Sequence, residues 1–197
     1  FASVEIRRRT CSVHPKFKKP DFLLELRDKF DVVYFFDPDI VLLKSWKHFE
    51  FWSFDGIALV VDKIWHPMSE QHLKRKAWKL ICQEIGQNFR SLDFYVNSGF
   101  IGLPNRYFEI LEVWIEAVSA LDPEKISFVE NSLGARIDGC FNGGDQDPFN
   151  AALHLTDVPV TLLGPDEGMG FGGLQDAYML HAAGMRKPWR GSGFLDA

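Results

Sequence analysis

The hydrophobic positions change period along the chain. Phe22, Leu23, Leu26 and Phe30 recur at helical spacing behind Asp21, and Val32-Val33-Tyr34-Phe35-Phe36 follows without a polar break. The first pattern predicts a helix over 22–29 with Asp21 as its N-cap. The second predicts a strand buried on both faces, as in a parallel sheet. Residues 40–43 are apolar, Ser45 caps a short helix carrying Trp46, Phe49 and Trp52, and 56–61 reads as a second buried strand ending in Asp62. A longer helix from Ser69 to about Gln87 places Leu73, Ala77, Leu80, Ile81 and Ile85 inward and turns Lys74, Arg75, Lys76 and Lys79 to water. Residues 94–103 predict a strand interrupted at Asn97-Ser98-Gly99, where a glycine marks a bulge or the close approach of a ligand. Asn105 caps a helix over 106–120 with Phe108, Leu111, Ile115 and Val118 inward, and a weaker helix covers 124–133. Pro148 suits the first turn of a helix reaching about Leu155, and short strands are expected at 159–163 and 178–182. The alternation predicts an α/β fold with a mostly parallel central sheet flanked by helices, in one domain over 1–197.

Composition narrows the function classes. A chain of 197 residues that is 46% hydrophobic supports one packed core, and a formal charge of −5 argues against a dedicated nucleic-acid binder. The first twenty residues form a basic arm, with Arg7-Arg8-Arg9, Lys16, Lys18 and Lys19, read as solvated or disordered rather than as a polyanion contact. Three cysteines, Cys11, Cys82 and Cys140, show no metal-binding spacing, so reduced thiols are expected. No apolar run approaches a membrane span and no signal peptide is visible, which favours the cytoplasm. The chain opens on Phe1 rather than Met, consistent with a segment upstream.

The candidate chemistry lies where the strands end. Asp37 and Asp39 follow the first strand at i, i+2 spacing around Pro38, which should stop the ladder and expose both carboxylates in a loop. Paired carboxylates repel unless a cation or proton lies between them, so a hard divalent metal competes here with a plain solvated turn. Asp145-Gln146-Asp147 stand at a helix start after a diglycine, and capping accounts for one of the three. The glycine-rich stretch 164–176 lacks the Gly-Lys-Ser/Thr of a P-loop and reads as a lid or loop. After the last strand comes His181-x-x-Gly184-x-x-Lys187-Pro188-Trp189.

Taken in order, Asp37-Pro38-Asp39, Asn97-Ser98-Gly99, Asp145-Gln146-Asp147 and the closing His-x-x-Gly-x-x-Lys-Pro-Trp resemble the nucleotide-sugar-dependent glycosyltransferases of the GT-A fold. The resemblance is to the retaining glycogenin and galactosyltransferase-like group, family 8, and runs from about residue 19 to 190. It implies Asp37, Asp39 and His181 as ligands of Mn²⁺, or Mg²⁺, completed by oxygens of a donor such as a UDP-sugar. It further implies Gly184 and Lys187 as diphosphate contacts, and Asp62, Asn97, Ser98, Asp145 and Gln146 as groups gripping the donor sugar. Lys19 is a candidate basic contact to the donor. Front-face attack by an acceptor hydroxyl would leave Gln146 stabilising charge, with Asp145 or Asp147 as the possible nucleophile.

Only thirty-six residues precede Asp37, whereas the family carries a βαβ region there that cradles base and ribose. The N-terminal part is therefore expected to be incomplete. Two other readings stand beside this one. Asp37-Pro38-Asp39 also fits a haloacid-dehalogenase-like phosphohydrolase, with Asp37 phosphorylated, and the fold could serve as a non-catalytic carbohydrate-binding or interaction module.

Overall fold

The structure is a computed structural model that describes residues 10, 12–84, 88–120, 144–171 and 176–183, with no side-chain account for 77 and 80–84. The triple arginine, the end of the 69–87 helix, the 124–133 helix, Gly172, Gly173, Gly184 and Lys187-Pro188-Trp189 lie outside the described residues.

Six strands are present among the described residues: β1 (Val32–Phe36), β2 (Ile40–Leu42), β3 (Ile57–Val61), β4 (Val96–Pro104), β5 (Val160–Leu163) and β6 (Met179–His181). Four of them form a sheet in the order β1-β4-β3-β5, and β2 with β6 forms a separate ribbon. The sheet is mixed rather than mostly parallel in its ladders. β4 runs antiparallel to both β1 and β3, and only β3 with β5 is parallel. Three strands nevertheless share one direction, so the ends of β1, β3 and β5 lie along the same edge as the start of β4.

Burial follows position in the sheet. Every residue of β3 and of β4 is buried, as expected of central strands, whereas β1 is mostly half-buried because it stands at the edge. Alternation along β3 divides the core. Ile57 and Leu59 join the larger apolar cluster with Phe17, Ile101, Trp114 and Phe149, while Ala58 and Val60 join Phe49, Trp52, Phe100 and Met179 on the other face. Helix α1 (Lys19–Leu24), α2 (Trp46–Trp52), α3 (Leu73–Glu84), α4 (Glu109–Ser119), α5 (Gln146–Leu155) and α6 (Pro165–Met169) complete the order. Trp114 of α4 meets Phe149 of α5 with ring centroids 4.5 Å apart.

Several expectations shift. The described part of the basic arm is packed rather than solvated: a 3₁₀ turn (Pro15–Lys18) leads into α1, and Phe17 and Lys19 are buried. Pro20 lies in the first turn of that helix, which does not need its N–H. The helix stops at Leu24 and not near Lys29, and Asp28 adopts a left-handed φ of 63°. Asn105 does not cap α4 directly. It begins a 3₁₀ turn (Asn105–Tyr107), and its side chain bonds to Asp28. The stretch expected as a lid or loop contains helix α6, packed against β3 and β6.

The largest correction concerns α3. Leu73, expected inside, is 68% exposed, while Lys74 and Arg75, expected in water, are 0% and 2% exposed. Trp78, one turn after Lys74, is buried and sets the phase of the helix. Lys74 Nζ donates to both oxygens of Asp147 at 2.6 Å and lies 4.7 Å from the Trp65 ring centroid. Tyr95 donates its hydroxyl to the same carboxylate at 2.6 Å, and burial together with the Asp147 charge pushes its pKa far up.

Two stability predictions follow from these buried groups. Lys74→Met should cost about 3–5 kcal/mol in urea denaturation, because Asp147 stays buried without its cation, and adding Asp147→Leu should recover most of it. A loss under about 1 kcal/mol would contradict a fully desolvated pair. His154 is buried, stacks on Phe89 at 4.6 Å and donates Nδ1–H to Arg90 O at 2.7 Å; burial pushes its pKa from 6.5 down to about 4. Between those two values the unfolded chain takes up a proton that the folded chain refuses. The contribution is therefore complete above pH 6.5 and lost as pH falls to about 4, on the order of 3 kcal/mol. Urea titrations across that window should show the loss, and His154→Asn should flatten it.

Candidate active site

Reversal of β4 brings the predicted site residues to one edge. The β1–β4 ladder ends at Phe36↔Phe100, and Asp37 N–H then donates to Gly99 O at 2.7 Å. Ile40 N–H donates to Asp37 O at 3.0 Å, closing a turn with Pro38 at its second position, where its fixed φ is favoured. The chain leaves that turn into β2, which pairs with β6 so that Ile40 faces His181, and Ala182 N–H donates to Asp39 O at 3.0 Å. Pairing thus stops at Pro38 in the main sheet and resumes in the ribbon, and the ribbon seats the imidazole beside the acids. The pair is less exposed than expected, for Asp39 is only 7% accessible.

His181 Nε2 stands 3.4 Å from Asp39 Oδ1 and 3.9 Å from Asp37 Oδ2. One ligand atom from each of the three residues lies within 4.8 Å of the others. Donors on opposite sides of an ion bound at ~2.1–2.3 Å stand ~4.2–4.6 Å apart, so the set fits a single cation with small adjustment.

Gly99 makes this approach possible. A Cβ there would fall 2.7 Å from His181 Cε1 and 3.1 Å from Asp37 Oδ2. The predicted bulge is present: Ala58 pairs with Gly102 but Val60 pairs with Asn97, so β4 arches between them. Asn97 Oδ1 accepts from Gly99 N at 2.8 Å and steadies the arch.

A polar network extends from it. Ser98 N–H donates to Gln146 Oε1 at 3.2 Å, and Ser98 Oγ donates to Asp145 Oδ2 at 3.0 Å. Gln146 Nε2 and Asn97 Nδ2 both donate to Asp62 Oδ2, at 3.1 and 3.4 Å, while Asp62 Oδ1 accepts from Ile64 N and Trp65 N. Lys19 Nζ reaches Asp145 Oδ2 at 2.8 Å, Asp37 Oδ1 at 2.9 Å and Ser98 O at 3.2 Å. Burial works against its charge, but the Asp145 and Asp37 carboxylates outweigh that and hold its pKa above the ordinary lysine value. All three of its N–H groups are matched to protein acceptors, so as placed it joins the acids to each other.

The structure therefore brings Lys19, Asp37, Asp39, Asp62, Asn97, Ser98, Asp145, Gln146 and His181 to one edge. Asp147 is apart in character, being fully buried against Lys74 and Tyr95. Gly184 and Lys187 lie outside the described residues. Sequence reasoning missed Asn150, whose side chain accepts from Val96 N and donates to Val96 O, both at 2.8 Å. An amide in the apolar run after Pro148, one turn beyond Gln146, is the signal that marks it.

No family model and no curated protein matches the chain. Among solved structures it is similar to the bifunctional glycosyltransferase WbbM in its apo form, with 19% identity over 88% of this chain and 32% of that one, at a TM-score of 0.49. It is also similar to the galactosyltransferase LgtC solved with donor and acceptor sugar analogues, with 17% identity over 88% of this chain and 59% of that one, at a TM-score of 0.44. The chain spans about a third and about three-fifths of those two proteins. These are likenesses of chain course at low identity.

Gly99→Ala tests the geometry. The added methyl must push His181 and Asp37 apart, so Mn²⁺ affinity by calorimetry should fall ~10–100-fold while the circular dichroism spectrum is retained. Unchanged affinity would show that the three donors do not share one ion.

Proposed function

We propose that the chain carries a metal-dependent hexosyltransferase site that uses a nucleotide diphosphate sugar, a UDP-sugar, and retains anomeric configuration. One observation carries the reading: Asp37, Asp39 and an imidazole from far along the sequence converge at the sheet edge that also gathers Asp62, Asn97, Asp145 and Gln146. Two carboxylates and one imidazole form a mixed oxygen and nitrogen set suited to Mn²⁺, with Mg²⁺ next. The ion would stabilise the negative charge that collects on the departing diphosphate.

The protein's own groups set out the rest. Asp62 and Asn97 would accept and donate hydrogen bonds to sugar hydroxyls, and Gln146 would stabilise the positive charge growing at the anomeric carbon. As that carbon's bond to the diphosphate oxygen breaks, the acceptor oxygen attacks from the same face, and its proton passes to the leaving oxygen. Asp147 has no part as nucleophile in this proposal, since its carboxylate is enclosed by Lys74 and Tyr95. Lys19 acts as a positioning residue that fixes Asp37 and Asp145. Gly184 and Lys187 remain the proposed diphosphate contacts. No observation favours the phosphohydrolase, a reading in which His181 has no role.

Calorimetry with UDP-glucose and UDP-galactose should show binding that depends on Mn²⁺, and Asp39→Asn should lower donor turnover at least ~100-fold. Metal-independent nucleotide binding, or turnover unchanged in Asp39→Asn, would refute the proposal. Phosphatase turnover with Mg²⁺ and no nucleotide binding would install the hydrolase instead. Neither response would leave a binding module.

A further inference from the structure

Beyond the sheet-edge cluster, the chain leaving β3 past Asp62 and the chain entering β4 ahead of Asn97 form the walls of another cavity. Residues 67–70, after β3, and 91–93, before β4, enclose about 550 Å³ together with Arg75 of α3. Arg75 is 2% exposed, and its Nε, Nη1 and Nη2 have no hydrogen-bond partner among the described residues. A buried guanidinium without acceptors is costly, because the charge is desolvated and five N–H donors go unmatched. The charges of the two rim acids, Glu70 and Asp93, favour the guanidinium but do not outweigh its burial. Neither Glu70 nor Asp93 hydrogen-bonds to Arg75, and Glu70 accepts from the Ser91 hydroxyl instead.

Arg75 also lines an adjoining cavity of about 300 Å³ with Lys76, Lys79, Phe89 and Ser91. Both lysines are exposed. Taken together the two cavities are lined by three cations, Arg75, Lys76 and Lys79, and two carboxylates, Glu70 and Asp93, leaving one positive charge in excess. That balance selects a ligand with a single negative charge rather than a dianion. A planar carboxylate matches the two parallel N–H groups of a guanidinium fork. The rim acids then suit hydroxyl donors, and half-buried Phe89, one face of which stacks on His154, adds an apolar surface to the wall.

We propose that this pair of cavities binds a carboxylate-bearing sugar unit of the uronate type, with its carboxylate on Arg75 and its hydroxyls on Glu70 and Asp93. The proposal stands on the cavity and does not require the transferase reading. Should both hold, this pocket would select an acidic saccharide as partner of the reaction.

The test is an NMR titration of the full chain without metal or nucleotide, using glucuronate, glucose and inorganic phosphate. Glucuronate should shift the resonances of residues 67–70 and 91–93 and bind at least ~10-fold more tightly than glucose. Arg75→Lys, which keeps the charge and loses the fork, should weaken glucuronate to the level of glucose while leaving Mn²⁺ binding unchanged. Arg75→Met should not lower the melting temperature, because it removes a buried charge that has no acceptor among the described residues. Equal affinity for glucuronate and glucose would overturn the proposal, as would tighter binding of phosphate or full glucuronate affinity in Arg75→Lys. A marked fall in melting temperature for Arg75→Met would identify Arg75 as a structural group and overturn it equally.

Discussion

The ammonium group of Lys19 sits where three parts of the chain meet. At 2.8 and 2.9 Å from Asp145 and Asp37, its gross attraction to each is about 6 kcal/mol at an effective dielectric constant near 20. Desolvating the three ions costs several kcal/mol apiece, so the cluster adds little net stability. Its effect is on geometry. Helix α1, the end of β1 and the start of α5 hold one arrangement because any other leaves a buried charge without its partner. The raised pKa of Lys19 is the same statement read as proton affinity: its two carboxylates more than offset burial.

That clasp works only because β4 is reversed. Were β4 to run with its neighbours, Asn97 and Ser98 would emerge at the opposite edge from Asp37 and Asp62. Running against them, it delivers its first residues to the place where β1 and β3 end. The arch between Asn97 and Gly102 then turns Ser98 toward Asp145 and leaves Gly99, without a side chain, between Asp37 and His181. A second support stands behind it. Asn150 pins the Val96 backbone in both directions, and the Lys74–Asp147–Tyr95 contact fixes the same turn of α5 from inside the core.

Much of this was legible in the sequence, and the remainder was hidden for identifiable reasons. The strands at 32–36, 57–61 and 160–163 announced themselves as apolar runs, and the glycine at position 99 marked the bulge correctly. Strand direction was not legible, since apolar runs read alike in parallel and antiparallel central strands. Helix α3 misled because its charged residues follow the helical period as an exposed face would. The partner that draws Lys74 inward is Asp147, remote in sequence, and no local pattern reveals a distant carboxylate. The basic arm misled similarly: Lys16 and Lys19 looked solvated until Asp145 came within reach.

The balance of charge at the sheet edge is what makes the Asp37, Asp39 and His181 group a possible cation site. Asp37, Asp39, Asp62 and Asp145 all converge, and Lys19 supplies one ammonium already divided between two of them. Lys16 lies beside Gly144, which bends through a left-handed φ of 67° to lead into α5, but burial lowers its pKa, with Asp145 opposing and Lys19 reinforcing the shift. A second protein cation is thus less well supported than the first. Asp37 Oδ2 and Asp39 Oδ1 stand beside an imidazole, a group that in its neutral form can offer a lone pair. A monovalent side chain would have to be buried to reach them, at the cost Lys19 already illustrates. A divalent ion brings twice the charge with no side-chain entropy to lose, and it leaves coordination positions for oxygens that the protein does not provide.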